Sequence, residues 1–170
     1  LRRGTQSKLT LVSAPAGFGK TTLLAEWLAG GDKKRGLAWL SLDQTDNDLM
    51  AFWSHLVAAL ETAVVAVGAD FPALLPAEQS SDSFLAKLLN GLSALPMDID
   101  LVLDDYHVIE SQEVHEAMAF PINHAPPQLH LSIASRSDPP IPVARLRARG
   151  ELVEVTVADP RFTSHDAERS

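Results

Sequence analysis

Five short runs of apolar residues recur along the chain, and stretches with helical periodicity separate them. The runs are rich in Leu, Val and Ile and have the length of buried β-strands. Strands that alternate with helical patterns are typical of repeated β-α units and a parallel sheet. The sequence therefore predicts an α/β domain with five parallel strands and helices on both faces, the strands lying at about 8–13, 37–42, 100–104, 129–135 and 151–156.

Apolar residues at positions i, i+3 and i+4 in the intervening segments indicate amphipathic helices. The second of these helices begins near Asp48, and Asp46, Asn47 or Asp48 can cap its first turn. Four helices are predicted: 20–29, a longer one from Asp48 onward, one that follows a loop over 68–82, and a short one over 143–149.

The first strand runs into a glycine-rich turn and then a helix, which is the layout of a phosphate-binding P-loop. Gly17 and Gly19 allow the backbone to curl with its N–H groups inward, and the helix N-terminus favours an anion at the same point. Lys20 adds a positive charge for the β- and γ-phosphates, and Thr21 supplies a hydroxyl for Mg²⁺. The usual motif, G-x-x-x-x-G-K-[ST], begins with glycine, whereas this chain has Ala14 there. The segment predicts a nucleotide-binding site.

The strand Leu101-Val102-Leu103 ends in two carboxylates, Asp104 and Asp105. Ligand sites in parallel sheets lie beyond the carboxyl ends of the strands, which is where both side chains are expected. In a chain that also has a P-loop, this pattern predicts a Walker B strand. We expect Asp104 to hold Mg²⁺ through its water shell and Asp105 to orient the attacking water.

The fourth predicted strand ends in Arg136. A guanidinium is a planar fork that donates two parallel hydrogen bonds to phosphate oxygens. Loss of the γ-phosphate would leave this fork without a partner. Arg136 is therefore predicted to sense whether ATP or ADP is bound.

Composition narrows the possible partners. Lys and Arg number 14 against 22 Asp and Glu, so the net charge of −8 predicts no direct contact of this piece with nucleic acid. The absence of cysteine excludes disulfides and thiolate metal sites. We expect no membrane segment or signal peptide, and a requirement for ATP predicts a cytoplasmic location.

The last residues predict the start of a second unit. Asp159-Pro160 interrupts the strand pattern, and Thr163-Ser164-His165-Asp166 resembles a capping box that opens a helix. A helix of one turn is not stable alone. We therefore predict a nucleotide-binding domain over 1–158 and the beginning of a truncated helical domain over 159–170.

Four segments together are more specific than a general P-loop pattern. They are Leu11 to Trp27, Trp39 to Trp53, the Leu-Val-Leu-Asp-Asp-Tyr-His run over 101–107, and the Ala-Ser-Arg-Ser-Asp-Pro-Pro run over 134–140. These segments resemble the N-terminal ATPase domain of the large ATP-binding LuxR-family (MalT-like) transcriptional regulators. The resemblance extends from Lys8 to about Thr163.

The resemblance implies a STAND-type (NACHT-like) signalling ATPase, which rests with ADP and exchanges it for Mg-ATP when an inducer binds a distant sensor domain. It implies adjacent regulatory domains in a longer protein, ATP-dependent self-association, and DNA binding only through a C-terminal helix-turn-helix absent from this chain. Slow hydrolysis would reset the switch. The implied nucleotide-binding residues are Ala16, Gly17, Phe18, Gly19, Lys20, Thr21, Thr22 and Arg136, with Thr21 and Asp104 as Mg²⁺ ligands and Lys20, Asp105 and Arg136 as catalytic residues.

Two other interpretations stay open at this point. A P-loop small-molecule kinase would transfer phosphate to an acceptor rather than to water. A non-hydrolysing interaction module would use the nucleotide only to hold its fold. We expect an extra strand between the P-loop strand and the Walker B strand, an order typical of ATPases rather than kinases, and weak or absent turnover by this piece alone.

Overall fold

Five parallel strands form one sheet in the computed structural model, which describes residues 8–13, 15, 19–29, 35–66 and 81–156. Its order is β2-β3-β4-β1-β5, so β4 lies between β1 and β3. This confirms the predicted parallel sheet and its additional strand, with each predicted strand boundary within one residue. The strands are β1 (Leu9–Ser13), β2 (Gly36–Ser41), β3 (Ile99–Asp104), β4 (Leu129–Ser135) and β5 (Leu152–Thr156).

The helices of the described segments are α1 (Lys20–Ala29), α2 (Leu49–Ala66), α3 (Ser81–Ser93), α4 (Gln112–Ala117), α5 (Ala119–His124) and α6 (Ala144–Ala148). The predicted α1, α2, α3 and α6 are confirmed. The predicted loop over 68–82 was wrong at its end, because α3 begins at Ser81; residues 68–80 lie outside the described residues. So do the predicted domain boundary at 158 and the capping box at 163–166.

Helices α4 and α5 had no predicted counterpart. Each is only six residues long, too short for apolar periodicity to be visible. Ser111 caps α4 by accepting the N–H of Val114 at 3.3 Å. Pro121 lies in the first turn of α5, where a missing N–H costs no helical hydrogen bond.

Hydrophobic residues pack on both faces of the sheet, which confirms the three-layer arrangement. On one face Leu24 of α1 covers a small cluster with Val12, Val102 and Ala134. The opposite face carries the main core, which includes Phe52 and Leu60 of α2 and residues of α3, α4 and α5. Each fully buried Leu or Phe stabilises the fold by about 1.5–3 kcal/mol relative to an exposed one. The central strands therefore have a fixed register, and their carboxyl ends are held at one edge.

No helix in the described part of the chain combines the length and the apolar character needed to cross a lipid bilayer.

Candidate functional site at the carboxyl edge of the sheet

Three strands end together at the edge where the sequence predicts the nucleotide site. In the parallel register Ser13 of β1 pairs with Ser135 of β4, and Leu103 of β3 pairs with Ile133 of β4. Asp104 and Arg136 follow directly after Leu103 and Ser135. The ends of β3 and β4 therefore bring the two predicted carboxylates and the predicted phosphate sensor to one edge, beside the end of β1.

The turn after β1 enters α1 through Gly19, whose φ is +68°. A Cβ at Gly19 would meet no atom within 4 Å, so this position favours glycine because of its backbone conformation and not because of crowding. Helix α1 then begins at Lys20 and continues through Thr21 and Thr22. The side chain of Thr22 is exposed.

Several predicted phosphate-binding positions lie outside the described residues. They are Ala16, Gly17 and Phe18, together with the side chains of Lys20 and Thr21. What the structure describes at this turn is the left-handed Gly19 and the helix start at Lys20.

Asp104 is a buried carboxylate at the end of β3, with 2% of its surface exposed. Its Oδ1 accepts the N–H of Asp105 at 2.9 Å, and its carbonyl accepts the N–H of Leu42 at 3.0 Å. Burying a carboxylate is costly unless it is hydrogen-bonded, paired or bound to a cation. Hard carboxylate oxygens are the donors that Mg²⁺ prefers, so the chemistry of Asp104 fits the predicted metal.

Asp105 is the only non-glycine residue with a positive φ in the described segments, at φ 58° and ψ 39°. Aspartate enters this left-handed region more readily than most residues. The Asp105 carbonyl accepts the N–H of Val108 at 3.1 Å and so starts a 3₁₀ turn over Tyr106–Val108. Strained backbone of this kind is concentrated at functional sites, and here it lies next to the buried carboxylate of Asp104.

Arg136 is exposed where the chain leaves β4. Among the described residues its guanidinium has no ion-pair or hydrogen-bond partner. The buried Ser135 beneath it accepts the N–H of Ser137 on its Oγ at 3.5 Å, which turns the chain after the strand. This fork is available to an anion at the edge of the sheet.

A buried pair that the sequence did not reveal fastens the turn after Asp105 to α4. Tyr106 Oη lies 3.0 Å from Nδ1 of His115, and both side chains are buried. Burial raises the pKa of Tyr106, so the phenol keeps its proton. Burial also lowers the pKa of His115, although the backbone carbonyl of Ile109 acts in the opposite direction. The two side chains thus share one buried hydrogen bond, and burial favours the neutral form of His115.

The turn between β2 and α2 confirms the predicted helix cap and shows which of the three candidates forms it. Asp48 alone caps α2, by accepting the N–H of Ala51 on Oδ1 at 2.9 Å. Asp46 is buried, accepts the N–H of Asp43 on Oδ2 at 2.9 Å, and has its Oδ1 2.6 Å from Nδ1 of His55. Asp43 and Asp46 form a reciprocal capping box, whose spacing was the available sequence signal.

Comparison of the sequence with known proteins identifies relatives of this chain. The chain is 42% identical over 164 residues to the HTH-type transcriptional regulator MalT of Serratia proteamaculans, an alignment that covers 95% of this chain and 18% of that regulator. The MalT regulator of Cronobacter sakazakii is 40% identical over 162 residues, again with 18% of its length covered. The chain is therefore similar to a segment of these MalT regulators. It spans about one fifth of the length of these curated relatives, and no protein-family model matches its sequence.

Solved structures confirm that the chain has an α/β P-loop fold. A STAND protein with a tetratricopeptide-repeat sensor from Pyrococcus horikoshii superposes with a TM-score of 0.58 at 15% identity, covering 98% of this chain and 24% of the other. Cdc6p from Pyrobaculum aerophilum gives a TM-score of 0.54 at 17% identity, covering 86% and 38%. At such low identities the likeness shows the fold alone.

Proposed function

We propose that this chain is the ATP- and ADP-binding switch domain of a longer, signal-responsive transcriptional regulator. The proposal is supported by the MalT relatives, which are named as HTH-type transcriptional regulators and are much longer than this chain. Residues 1–158 form the nucleotide-binding domain in this proposal, and 159–170 begin the next, helical one. Slow Mg²⁺-dependent hydrolysis of ATP resets the switch in the whole protein.

The observation that carries the proposal is the meeting of three kinds of group at one edge of the sheet. A left-handed glycine precedes the first turn of α1, a buried carboxylate ends β3, and an exposed guanidinium follows β4. A helix start attracts phosphate, a carboxylate holds a divalent cation, and an arginine fork binds a terminal phosphate. A single nucleotide with its bound cation would contact all three groups.

Each residue has a separate role in this proposal. The backbone over 16–22 cradles the phosphates, and Lys20 adds the positive charge that offsets theirs. Thr21 and Asp104 would hold Mg²⁺, and the ion would offset the negative charge of the phosphates. Asp105 orients water for attack on the γ-phosphate, and Arg136 donates to that phosphate and so distinguishes ATP from ADP.

The strand order favours an ATPase over the kinase alternative. Strand β4 separates the P-loop strand β1 from the Walker B strand β3, whereas the kinase pattern lacks this additional strand. A module that binds but does not hydrolyse is the second alternative. Turnover at background level alongside normal ATP affinity would favour that module for the isolated chain.

The proposed partners, besides the nucleotide, are the adjacent regulatory domains of the same protein and other copies of it in ATP-dependent self-association. Promoter DNA would be bound by a helix-turn-helix outside this chain. The net charge of −8 supports this division, because an acidic domain repels the DNA backbone.

Calorimetric titration with Mg-ATP and Mg-ADP tests the nucleotide site. Lys20→Ala should weaken both affinities about tenfold to a hundredfold, since a charge-assisted hydrogen bond contributes about 1.5–3 kcal/mol. Lys87→Ala removes an exposed charge on α3 and serves as the matched control. Absence of saturable binding to the folded chain, or equal affinities in wild type and Lys20→Ala, would contradict the proposal.

A further inference from the structure

The turn between β2 and α2 holds the segment that carries Asp104 and Asp105 at two points. At the near point, Leu42 donates its N–H to the Asp104 carbonyl at 3.0 Å. At the far point, the side chain of Asn47 reaches the loop that follows the 3₁₀ turn. Both points belong to residues 42–48, which we call the β2–α2 turn.

Asn47 uses both ends of its amide in this contact. Its Oδ1 accepts the N–H groups of Glu110 at 2.6 Å and Ser111 at 2.9 Å. Its Nδ2 donates to the carbonyl of Val108 at 3.0 Å and to that of Gln44, within its own turn, at 3.2 Å. The loop residues are more than sixty positions away in sequence, so this is a tertiary link and not a local turn.

A path of hydrogen bonds, joined through the backbone of Val108 and Asp105, leads from Asn47 to the two aspartates. Asn47 donates to the Val108 carbonyl, and the Val108 N–H donates to the Asp105 carbonyl at 3.1 Å. The Asp105 N–H in turn donates to Oδ1 of Asp104 at 2.9 Å. The left-handed peptide of Asp105 is thus held on both sides, which matters because that conformation costs free energy and persists only when its surroundings fix it.

The β2–α2 turn is itself fixed before it reaches the loop. Asp43 and Asp46 cap each other, and the buried Asp46 also contacts His55 of α2 at 2.6 Å. Asp48 caps the first turn of α2. Hydrogen bonds on both sides of Asn47 therefore hold its backbone, and its side-chain amide fixes the loop relative to the β2–α2 turn.

We propose that Asn47 is a positioning residue for the Asp104–Asp105 site, which it holds through the Val108 peptide in the geometry needed for the Mg²⁺-nucleotide. This role rests on the proposed function, because it assigns a purpose to a nucleotide site. Asn47 acts through the backbone of Val108 in this proposal, so its loss should disturb what Asp104 and Asp105 do and leave phosphate binding at Lys20 largely intact.

The decisive measurement is the ratio of ATP affinities with and without Mg²⁺, determined by calorimetry on the whole chain. Asn47→Asp keeps an oxygen to accept the Glu110 and Ser111 N–H groups but replaces the donor to Val108 by a second oxygen. It should lower the Mg²⁺-dependent gain in affinity about fivefold or more, which corresponds to a loss of about 1 kcal/mol. Metal-free ATP affinity should stay within about twofold of wild type.

Two further variants separate positioning from general stability. Asn47→Ala removes both halves of the link and should have at least the effect of Asn47→Asp. Asp48→Ala is the matched control, because it removes the neighbouring cap of α2, at a cost of about 1 kcal/mol, and makes no contact with Val108. Amide exchange at Val108 should accelerate in both Asn47 variants and not in Asp48→Ala.

Each result of these measurements either supports or contradicts the positioning role. A Mg²⁺ effect that falls in Asn47→Asp and persists in Asp48→Ala supports the positioning role. Equal Mg²⁺ effects in Asn47→Asp, Asp48→Ala and wild type overturn it while leaving the proposed function intact. If Asn47→Ala does not fold, Asn47→Asp alone decides. A folded wild-type chain without any ATP binding overturns the proposed function first, and the role of Asn47 with it.

Discussion

The backbone of Asp105 determines what can replace this residue. Its left-handed conformation is costly for a residue with a Cβ, and aspartate enters this region more readily than most residues. The same residue is the one to which we assign water orientation. The left-handed backbone and the proposed role in orienting water therefore constrain this position separately, and a substitution can satisfy one constraint without the other.

Three substitutions of Asp105 separate these demands. Asp105→Asn should retain stability and ATP affinity but lose hydrolysis, because asparagine tolerates the left-handed region and lacks the carboxylate. Asp105→Ala should be less stable than Asp105→Gly by roughly 1 kcal/mol, because only alanine has a Cβ in that region. Urea denaturation and phosphate release measure the two effects. Normal hydrolysis by Asp105→Asn would remove Asp105 from the role we propose.

At the scale of elements, the short 3₁₀ turn after β3 is connected to α4 by the Tyr106–His115 hydrogen bond. Helix α4 has only six residues and is too short to be stable alone. Its position depends on such tertiary contacts and on the cap at Ser111, whose backbone N–H also donates to Asn47. The loop after Asp105 is thus ordered by neighbours from two directions.

This connection predicts a pH dependence of stability. The folded-state pKa of His115 lies below its ordinary value because of burial, so the unfolded chain binds the proton more readily. The resulting stability is complete above the ordinary pKa of about 6.5 and is lost as pH falls through the lowered value. Unfolding free energies of wild type should therefore decrease more between pH 7 and pH 5 than those of His115→Gln. Parallel pH profiles in the two proteins would contradict a buried neutral His115.

At the scale of the whole molecule, the amino ends and the carboxyl ends of the strands have different roles. The amino end of β3 carries Asp100, which pairs with Arg35 at 2.8 Å, whereas its carboxyl end carries Asp104. Burial raises the pKa of Asp100, and Arg35 only partly offsets that effect. The ion pair at the amino edge belongs to the stability of the sheet, and the candidate nucleotide site lies at the other end of the same strand.

Asp100→Asn should lower the free energy of unfolding by about 1–2 kcal/mol, since Arg35 would lose its charged partner in a half-buried place. Its affinity for Mg-ATP should equal that of wild type. Lys20→Ala should show the opposite pattern, with normal stability and weakened binding. Chemical denaturation and calorimetry on both variants test the separation, and a joint loss of stability and binding in Asp100→Asn would contradict it.

The sequence by itself determined the framework of this protein. Apolar runs predicted all five strands within one residue, since buried parallel strands are nearly continuous in hydrophobicity. Lys20, Asp104 and Arg136 could be proposed as site residues because each lies at the end of a strand or turn that has a clear local signal. The MalT-like resemblance was likewise legible in local segments, and the relatives confirm it.

Only the tertiary structure decided how those segments are connected. In the sequence, Asp46, Asn47 and Asp48 were equally good candidates to cap α2. In the fold, Asp46 contacts His55, Asn47 binds the loop after Asp105, and Asp48 caps α2. Neither helices α4 and α5 nor the left-handed conformation of Asp105 could be predicted from the sequence. The physical reason is clearest for Asn47, whose loop partners lie more than sixty positions away. A hydrogen bond between residues sixty positions apart has no local signature, because its partner is chosen by packing and not by the neighbouring sequence.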